Sequence, residues 1–290
     1  MTAPWRVGIV GCGIAGRARA KAVHGHPRTE LVAVHRGRFA ATLGAPEVGA
    51  DALLAAVDVV IVAAPSETHG DWVARALDAG RHVICEYPLA RTRAGAEGLL
   101  EAARAGGRVL HVEHIELLAP TTRWMAAELH GGWSEAHLSF ASPGDPWADG
   151  ATHAWTAVSR LHRIVAAHGW PEILEVARAD GEAIEAILRW GQGRELSFEA
   201  RRTPDLPRRL HWRCRVPQGV IEVVDRAALR DGEPVALGPT ALFAEDLDVA
   251  IRRIEGEDAG YLADERLLGV LSLAESLGRP GTTAAGVKAP

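Results

Sequence analysis

The N-terminal part of the chain alternates short apolar runs with stretches in which apolar residues recur every third or fourth position. Runs at 6–10, 30–34, 57–64, 81–85 and 109–113 have strand length. Between them the spacing predicts helices at 15–24, 69–79 and 94–105, the last two stopped by Gly80 and by Gly106-Gly107. Alternation of this kind implies a parallel sheet with crossover helices.

Past about Leu118 the pattern changes. Residues 134–141 alternate like a strand, and 152–168 read as a helix ending at Gly169. Strand-like runs follow at 173–179, 183–190, 195–201, 209–216 and 220–224, joined by short polar or Gly-containing connections such as Asp180-Gly181. Helical spacing returns over 241–277, and the Gly/Thr/Ala-rich end after Gly278 reads as a surface tail. The expectation is an α/β domain over 1–117, followed by an α+β domain over 118–290 built on a mostly antiparallel sheet.

Composition narrows the function classes. The chain has 290 residues, 48% of them apolar, enough to bury the cores of two modest domains. A net charge of −5 argues against general nucleic-acid binding. Cys12, Cys85 and Cys214 are odd in number and widely spaced, as expected of reduced thiols. The first strand begins at Trp5, which leaves little room for a signal peptide, and the longest apolar runs are too short to span a bilayer. A cytoplasmic protein without membrane or nucleic-acid partners is expected, as a monomer or a homodimer.

Gly11-Cys12-Gly13-Ile14-Ala15-Gly16 fits G-x-G-x-x-G, directly after a strand and opening a helix. In that context the glycines permit a tight turn and a close approach to a pyrophosphate, and the helix start offers free N–H groups of Ile14, Ala15 and Gly16. This is the signature of a Rossmann nucleotide-binding domain. An NAD site usually ends its second strand with a carboxylate, yet here the strand runs into His35-Arg36-Gly37-Arg38. Arg36 and Arg38 suit a 2′-phosphate, so NADPH is the expected cofactor, with NADH possible. A solvated basic loop is the plainer alternative. Ser66 and His69, after the strand ending at Ala64, are further candidate cofactor contacts, although Ser66 or Thr68 could simply cap a helix.

Glu86-Tyr87-Pro88 ends the fourth apolar run. Many dehydrogenases of this layout carry a lysine in the middle of that triplet, but the only lysines are Lys21 and Lys288. The nucleotide domain with a following antiparallel sheet resembles the glucose–fructose oxidoreductase/inositol dehydrogenase (Gfo/Idh/MocA) superfamily. Members typically have Glu-Lys-Pro at this corner and a catalytic histidine on the first long helix of the second domain. With Glu86-Tyr87-Pro88, the His111–Leu118 segment and Ser159-Arg160-Leu161, the chain is similar to the biliverdin-reductase branch. The resemblance implies hydride transfer from NADPH to the central methine carbon of a linear tetrapyrrole, biliverdin, to give bilirubin. It also implies a cofactor contact for Glu86.

Arg160 is the first substrate-side candidate. It could polarise the substrate, hold a carboxylate or order a proton-donating water, and it could equally pair with Glu113 or Glu116 for structural reasons. Tyr87 could set the nicotinamide face or donate a hydrogen bond, or be a packed aromatic. Glu113 is a further catalytic candidate, with His114 and Glu116 behind it; strand alternation predicts Glu113 and His114 on opposite faces. Trp147 and Trp155 could flank a planar ligand. No metal-ligand spacing is present, and Tyr261 lacks the lysine that a short-chain dehydrogenase would need. Two other readings fit the same nucleotide loop: a reductase of a small carbonyl or imine, and a non-catalytic NADP-binding sensor.

Overall fold

The structure is a computed structural model and describes residues 3–146, 154–155 and 157–278. The chain folds as two units. In the first, β1 (Trp5–Val10), β2 (Thr29–His35), β3 (Val59–Val62), β4 (His82–Cys85) and β5 (Leu110–Val112) form a parallel sheet in the order β2-β1-β3-β4-β5. The crossovers are α1 (Ile14–Gly25), α2 (Ala50–Ala56), α3 (His69–Asp78) and α4 (Arg93–Ala105). The sequence pattern does not predict α2, whose seven residues are too few for a helical period to emerge. It packs tightly because Gly8 lets it approach: a Cβ on Gly8 would lie 2.9 Å from Leu53 and Val57 side-chain carbons.

β1, flanked by β2 and β3, is the point where the strand order reverses. The loops at the carboxyl ends of the strands are therefore where a doubly wound sheet binds ligands. Val7, Ile9, Val59, Ile61 and Ile84 have no exposed surface and form the sheet's part of the core. This unit also holds 241–268, which the pattern change at Leu118 assigns to the second domain. The reason is burial: a return helix, Leu242–Ile254, sets Leu247, Ala250 and Ile251 into the same core as Ala20 and Val23 of α1.

The second unit runs from Glu116 to Thr240 and takes up the chain again at Gly269. Its sheet comprises β6 (Glu135–Pro143), β7 (Glu172–Ala179), β8 (Ala183–Trp190), β9 (Arg194–Thr203), β10 (Arg209–Val216), β11 (Gly219–Val224), β12 (Ala227–Arg230) and β13 (Glu233–Val235). The order is β13-β12-β11-β10-β6-β9-β8-β7, antiparallel at every step except β6 with β9. The pattern misses β12 and β13, which are too short to show alternation. It also misses α5 (Pro120–Leu129), despite a proline at its first turn.

One face of the sheet is apolar: Ala136, Leu138 and Phe140 of β6 lie beside Leu196, Phe198 and Ala200 of β9 and Trp212 and Leu210 of β10, all buried. α5 packs with α6 (His162–His168), and the His168 ring bonds the Leu129 carbonyl at 3.0 Å. Among the described residues no helix is long and apolar enough to cross a membrane, and Cys12, Cys85 and Cys214 are buried free thiols.

Candidate cofactor and active site

The glycine loop after β1 has the shape that a pyrophosphate requires. Gly11 has φ +91°, and a Cβ there would lie 2.4 Å from the Ala63 and Ala64 backbone. A Cβ on Gly16 would lie 2.1 Å from the Gly11 carbonyl oxygen. Those two glycines are demanded by the fold itself. Gly13 differs: a Cβ there would meet nothing within 4 Å, and no side chain caps α1. The middle glycine thus opens onto free space at an uncapped helix start, with Ile14 (69% exposed) and Ala15 in the first turn. This cradle fits a dinucleotide.

The loop after β2 is knitted to it. Gly11 N–H donates to the His35 carbonyl (2.9 Å), Cys12 N–H to that of Arg36 (2.6 Å), and Phe39 N–H to that of Cys12 (3.1 Å). Arg36 takes a left-handed φ of 56°. Arg36 and Arg38 are exposed, and neither has an acidic partner among the described residues. Arg38 and Arg17 both stack on Phe39, their guanidinium carbons 4.6 and 4.7 Å from its ring centroid. Arg17, one residue past the glycine motif, joins this basic group and was not expected from the sequence.

The loops after β3 and β4 carry the other candidates. Ser66 is half-buried, its hydroxyl 3.5 Å from Glu67. His69 is buried, with Nδ1 2.8 Å from the Pro88 carbonyl and Nε2 2.8 Å from the Ala64 carbonyl. With a backbone carbonyl beside each ring nitrogen, a neutral His69 donates to one of them, and the buried ring links the loops after β3 and β4. Glu86 accepts from Arg19 Nε at 2.5 Å, and its side chain is 13% exposed.

That Arg19 bond opens a buried network the sequence did not reveal. Arg19 and Asp246 have no exposed surface and pair with each other. Asp246 accepts from the His111 ring (Nε2, 2.8 Å) and from the Tyr261 hydroxyl (2.5 Å), and that hydroxyl accepts from His114 N–H (2.8 Å). Burial alone would raise the Asp246 pKa, but Arg19 and His111, with the two hydrogen bonds, hold it well below the ordinary range. Burial and then the Asp246 charge push the Tyr261 phenol up, so it stays a donor. No local pattern marks these residues, because their partners come from four separated segments.

Tyr87 lies half-buried against this network. Its ring packs on the His114 ring (centroids 4.7 Å apart), and its N–H makes a long 3.5 Å contact with Glu113 Oε1. Glu113 also accepts from Ile115 N–H at 2.9 Å. Strand alternation does not separate Glu113 from His114, since β5 ends at Val112 and both lie in the turn beyond it. The Glu113 carboxyl is pushed up to about 8, first by burial and then by the charge of Glu86, against the pull of Arg19.

In the second unit Arg160 lies on a 3₁₀ turn, Ser159–Leu161. It pairs with Glu116, only 12% of its side chain is exposed, and its guanidinium carbon is 4.9 Å from the Phe140 ring centroid. The partner anticipated as Glu113 or Glu116 is Glu116. Trp155 is buried at 2% exposure, which leaves it no face for a planar ligand, and Trp147 lies outside the described residues.

A doubly wound sheet, a glycine loop at an uncapped helix start and a neighbouring basic loop define a dinucleotide-binding protein. Residues 5–114 match the oxidoreductase family with an NAD-binding Rossmann fold (GFO_IDH_MocA). Biliverdin reductase A of Mus musculus is 30% identical over 233 residues, 77% of this chain and 76% of the mouse protein. The dTDP-3,4-didehydro-2,6-dideoxy-alpha-D-glucose 3-reductase of Actinomadura kijaniata is 38% identical over 149 residues, 48% of this chain and 45% of that one. Among solved structures, biliverdin reductase from Synechocystis sp. PCC 6803 in complex with biliverdin and NADP+ superposes with a TM-score of 0.77 at 26% identity, covering 94% of this chain and 97% of that one. The chain belongs to the Gfo/Idh/MocA oxidoreductase family and is an NAD(P)H-dependent oxidoreductase.

Proposed function

We propose that this enzyme uses NADPH to reduce a linear tetrapyrrole of the biliverdin type at its central methine carbon. The observation that carries the reading is the lysine-free corner Glu86-Tyr87-Pro88, with the Glu113 carboxyl, whose pKa is raised by burial, against the Tyr87 backbone. Oxidation of a sugar alcohol needs a base and a nearby cation at that corner. Reduction of a conjugated pigment needs a hydride, a proton and a flat apolar surface.

Bound NADPH supplies the hydride. The open corner at Gly13 and the N–H groups of Ile14, Ala15 and Gly16 hold its pyrophosphate, with Gly11 fixing the turn. Arg36 and Arg38, joined by Arg17, hold the 2′-phosphate; Ser66 lies on the loop after β3 in reach of the same end of the sheet. Glu86, fixed by Arg19, and the Tyr87 ring, fixed by His114, set the nicotinamide end. Glu113 stores the proton that a pyrrole nitrogen takes up, so pigment, NADPH and one proton give the reduced pigment and NADP+. Arg160 keeps its proton throughout and serves as a fixed cation for a propionate.

The test is to mix purified protein, NADPH and biliverdin and follow both absorbances. Green should turn yellow as NADPH is consumed, and an unchanged spectrum with cofactor binding intact eliminates the pigment. Arg160→Ala is expected to lower turnover at least about tenfold while NADPH affinity stays within about twofold; equal losses in both overturn its assignment. The A. kijaniata relative, at 38% identity over about half the chain, favours a second reading as a reductase of a sugar ketone. NADPH consumption with a keto-sugar nucleotide but not with biliverdin would select it.

A further inference from the structure

Three neighbouring strands of the second unit change character together at one end. On the buried face, β6 runs Ala136, Leu138, Phe140 and then Ser142. Beside it β9 runs Leu196, Phe198, Ala200 and then Arg202, paired with Ser142 in the parallel register. On the other side β10 runs Cys214, Trp212 and Leu210, with Leu210 opposite Phe140 and Arg209 opposite Ala141. Continuing that antiparallel register by one residue puts Arg208 across from Ser142. An apolar face thus ends, on three adjacent strands, in a hydroxyl flanked by two guanidinium groups.

The side chains agree with the register. Arg208 turns back over the sheet, its guanidinium carbon 5.7 Å from the Phe140 ring centroid, while that of Arg160 is 4.9 Å from the same ring. Arg202 Nε donates to the Asp145 carbonyl at 2.8 Å, and its guanidinium lies where a Cβ on Gly144 would be, 2.3 Å away. Gly144 takes φ +133°, a conformation that favours glycine, and leaves room for the Arg202 guanidinium over the end of β6. Burial lowers the Arg202 pKa, only partly offset by the charge of Asp145. Arg208 has no acidic partner among the described residues. Ser142 is 7% exposed, and its hydroxyl is buried without a hydrogen-bond partner among the described residues. Such a group costs stability unless something else satisfies it.

We infer that Ser142, Arg202 and Arg208 form a carboxylate-binding subsite at this end of the sheet, with Phe140 as its apolar floor. Arg160, paired with Glu116, lies over the same ring. The subsite accepts one carboxylate of a flat, dicarboxylic substrate: the two guanidinium groups give charge-assisted hydrogen bonds, and the Ser142 hydroxyl donates the bond it lacks. The local charges, Arg160, Arg202 and Arg208 against Glu116 and Asp145, leave a net positive balance. This deepens the tetrapyrrole reading and rests on it for the identity of the substrate, since the two propionates of such a pigment supply the carboxylates.

The test compares biliverdin with its dimethyl ester, titrated by absorbance into the full chain with NADP+ present. The wild type should bind the free acid at least about tenfold more tightly than the diester, the strength of one charge-assisted contact. Arg208→Gln should cut that preference at least about fivefold, and Ser142→Ala about threefold, with affinity for the diester unchanged. Equal binding of acid and diester by the wild type, or a variant that weakens both alike or neither, overturns the subsite. If the wild type binds neither pigment, the tetrapyrrole reading falls, and glutarate then decides the subsite separately. Thermal stabilisation by glutarate that Arg208→Gln abolishes supports it; no stabilisation, or the same stabilisation in both proteins, overturns it.

Discussion

The two charged regions of this chain are built on opposite plans. In the first unit, the nucleotide end is made from backbone: glycines that clear space, an uncapped helix start, and loops tied by main-chain hydrogen bonds. In the second unit, the end of the sheet around Phe140 is made from side chains that adjacent strands deliver into register. A backbone site serves an invariant group such as a pyrophosphate, and one short stretch of sequence can encode it. A side-chain site can be altered one residue at a time without touching the fold, which is where substrate choice is expected to reside.

Between these plans stands the buried network on Arg19 and Asp246, where charge replaces apolar packing inside the first unit. Asp246→Asn should produce the largest effect: it leaves Arg19 with Glu86 alone and should cost about 3–5 kcal/mol, read from urea unfolding at pH 7. A loss below about 1 kcal/mol would mean that the network is decoration on an apolar core. Because Asp246 titrates below its ordinary value in the folded protein, its contribution is present at neutral pH and fades only as the solution becomes acidic enough to protonate it.

Two variants then separate backbone from charge at the nucleotide end. Arg36→Glu should shift the NADPH-over-NADH preference by about 10–100-fold, the worth of a charged hydrogen bond to phosphate; an unmoved ratio would put the phosphate contact elsewhere. Gly13→Ala should lower NADPH affinity about tenfold or more while leaving the melting temperature nearly unchanged, because its Cβ meets nothing within 4 Å of the protein and would intrude only on the proposed pyrophosphate position. Unchanged affinity would show that the open corner is not the binding cradle.

The smallest effect is expected at Glu113. Its pKa rises from 4.5 to about 8 on folding, so folding takes up a proton between those values, and the contribution to stability present at low pH is lost as pH climbs through 8. Glu113→Gln should abolish that slope and raise the melting temperature above pH 8, where the wild-type carboxyl is ionised in its buried position. If Glu113 is the proton store, wild-type turnover also falls above pH 8, and the Gln variant is slow and flat in pH. A wild-type profile that rises through pH 8 would exclude it.

The sequence by itself determined the parallel sheet, the glycine cradle, the arginines after β2 and the absence of lysine from the Glu86-Tyr87-Pro88 corner. Each of these is local: a strand of apolar residues, a glycine where no Cβ fits, or a residue type missing from the inventory. Only the tertiary structure decided that 241–268 returns to the first unit, that Asp246 meets Arg19 and His111, and that His69 serves the backbone. It alone brought Ser142, Arg202 and Arg208 to one end of a sheet. These facts depend on contacts between residues far apart in the chain, where the energy lies in burial and pairing and leaves no periodic trace in the sequence.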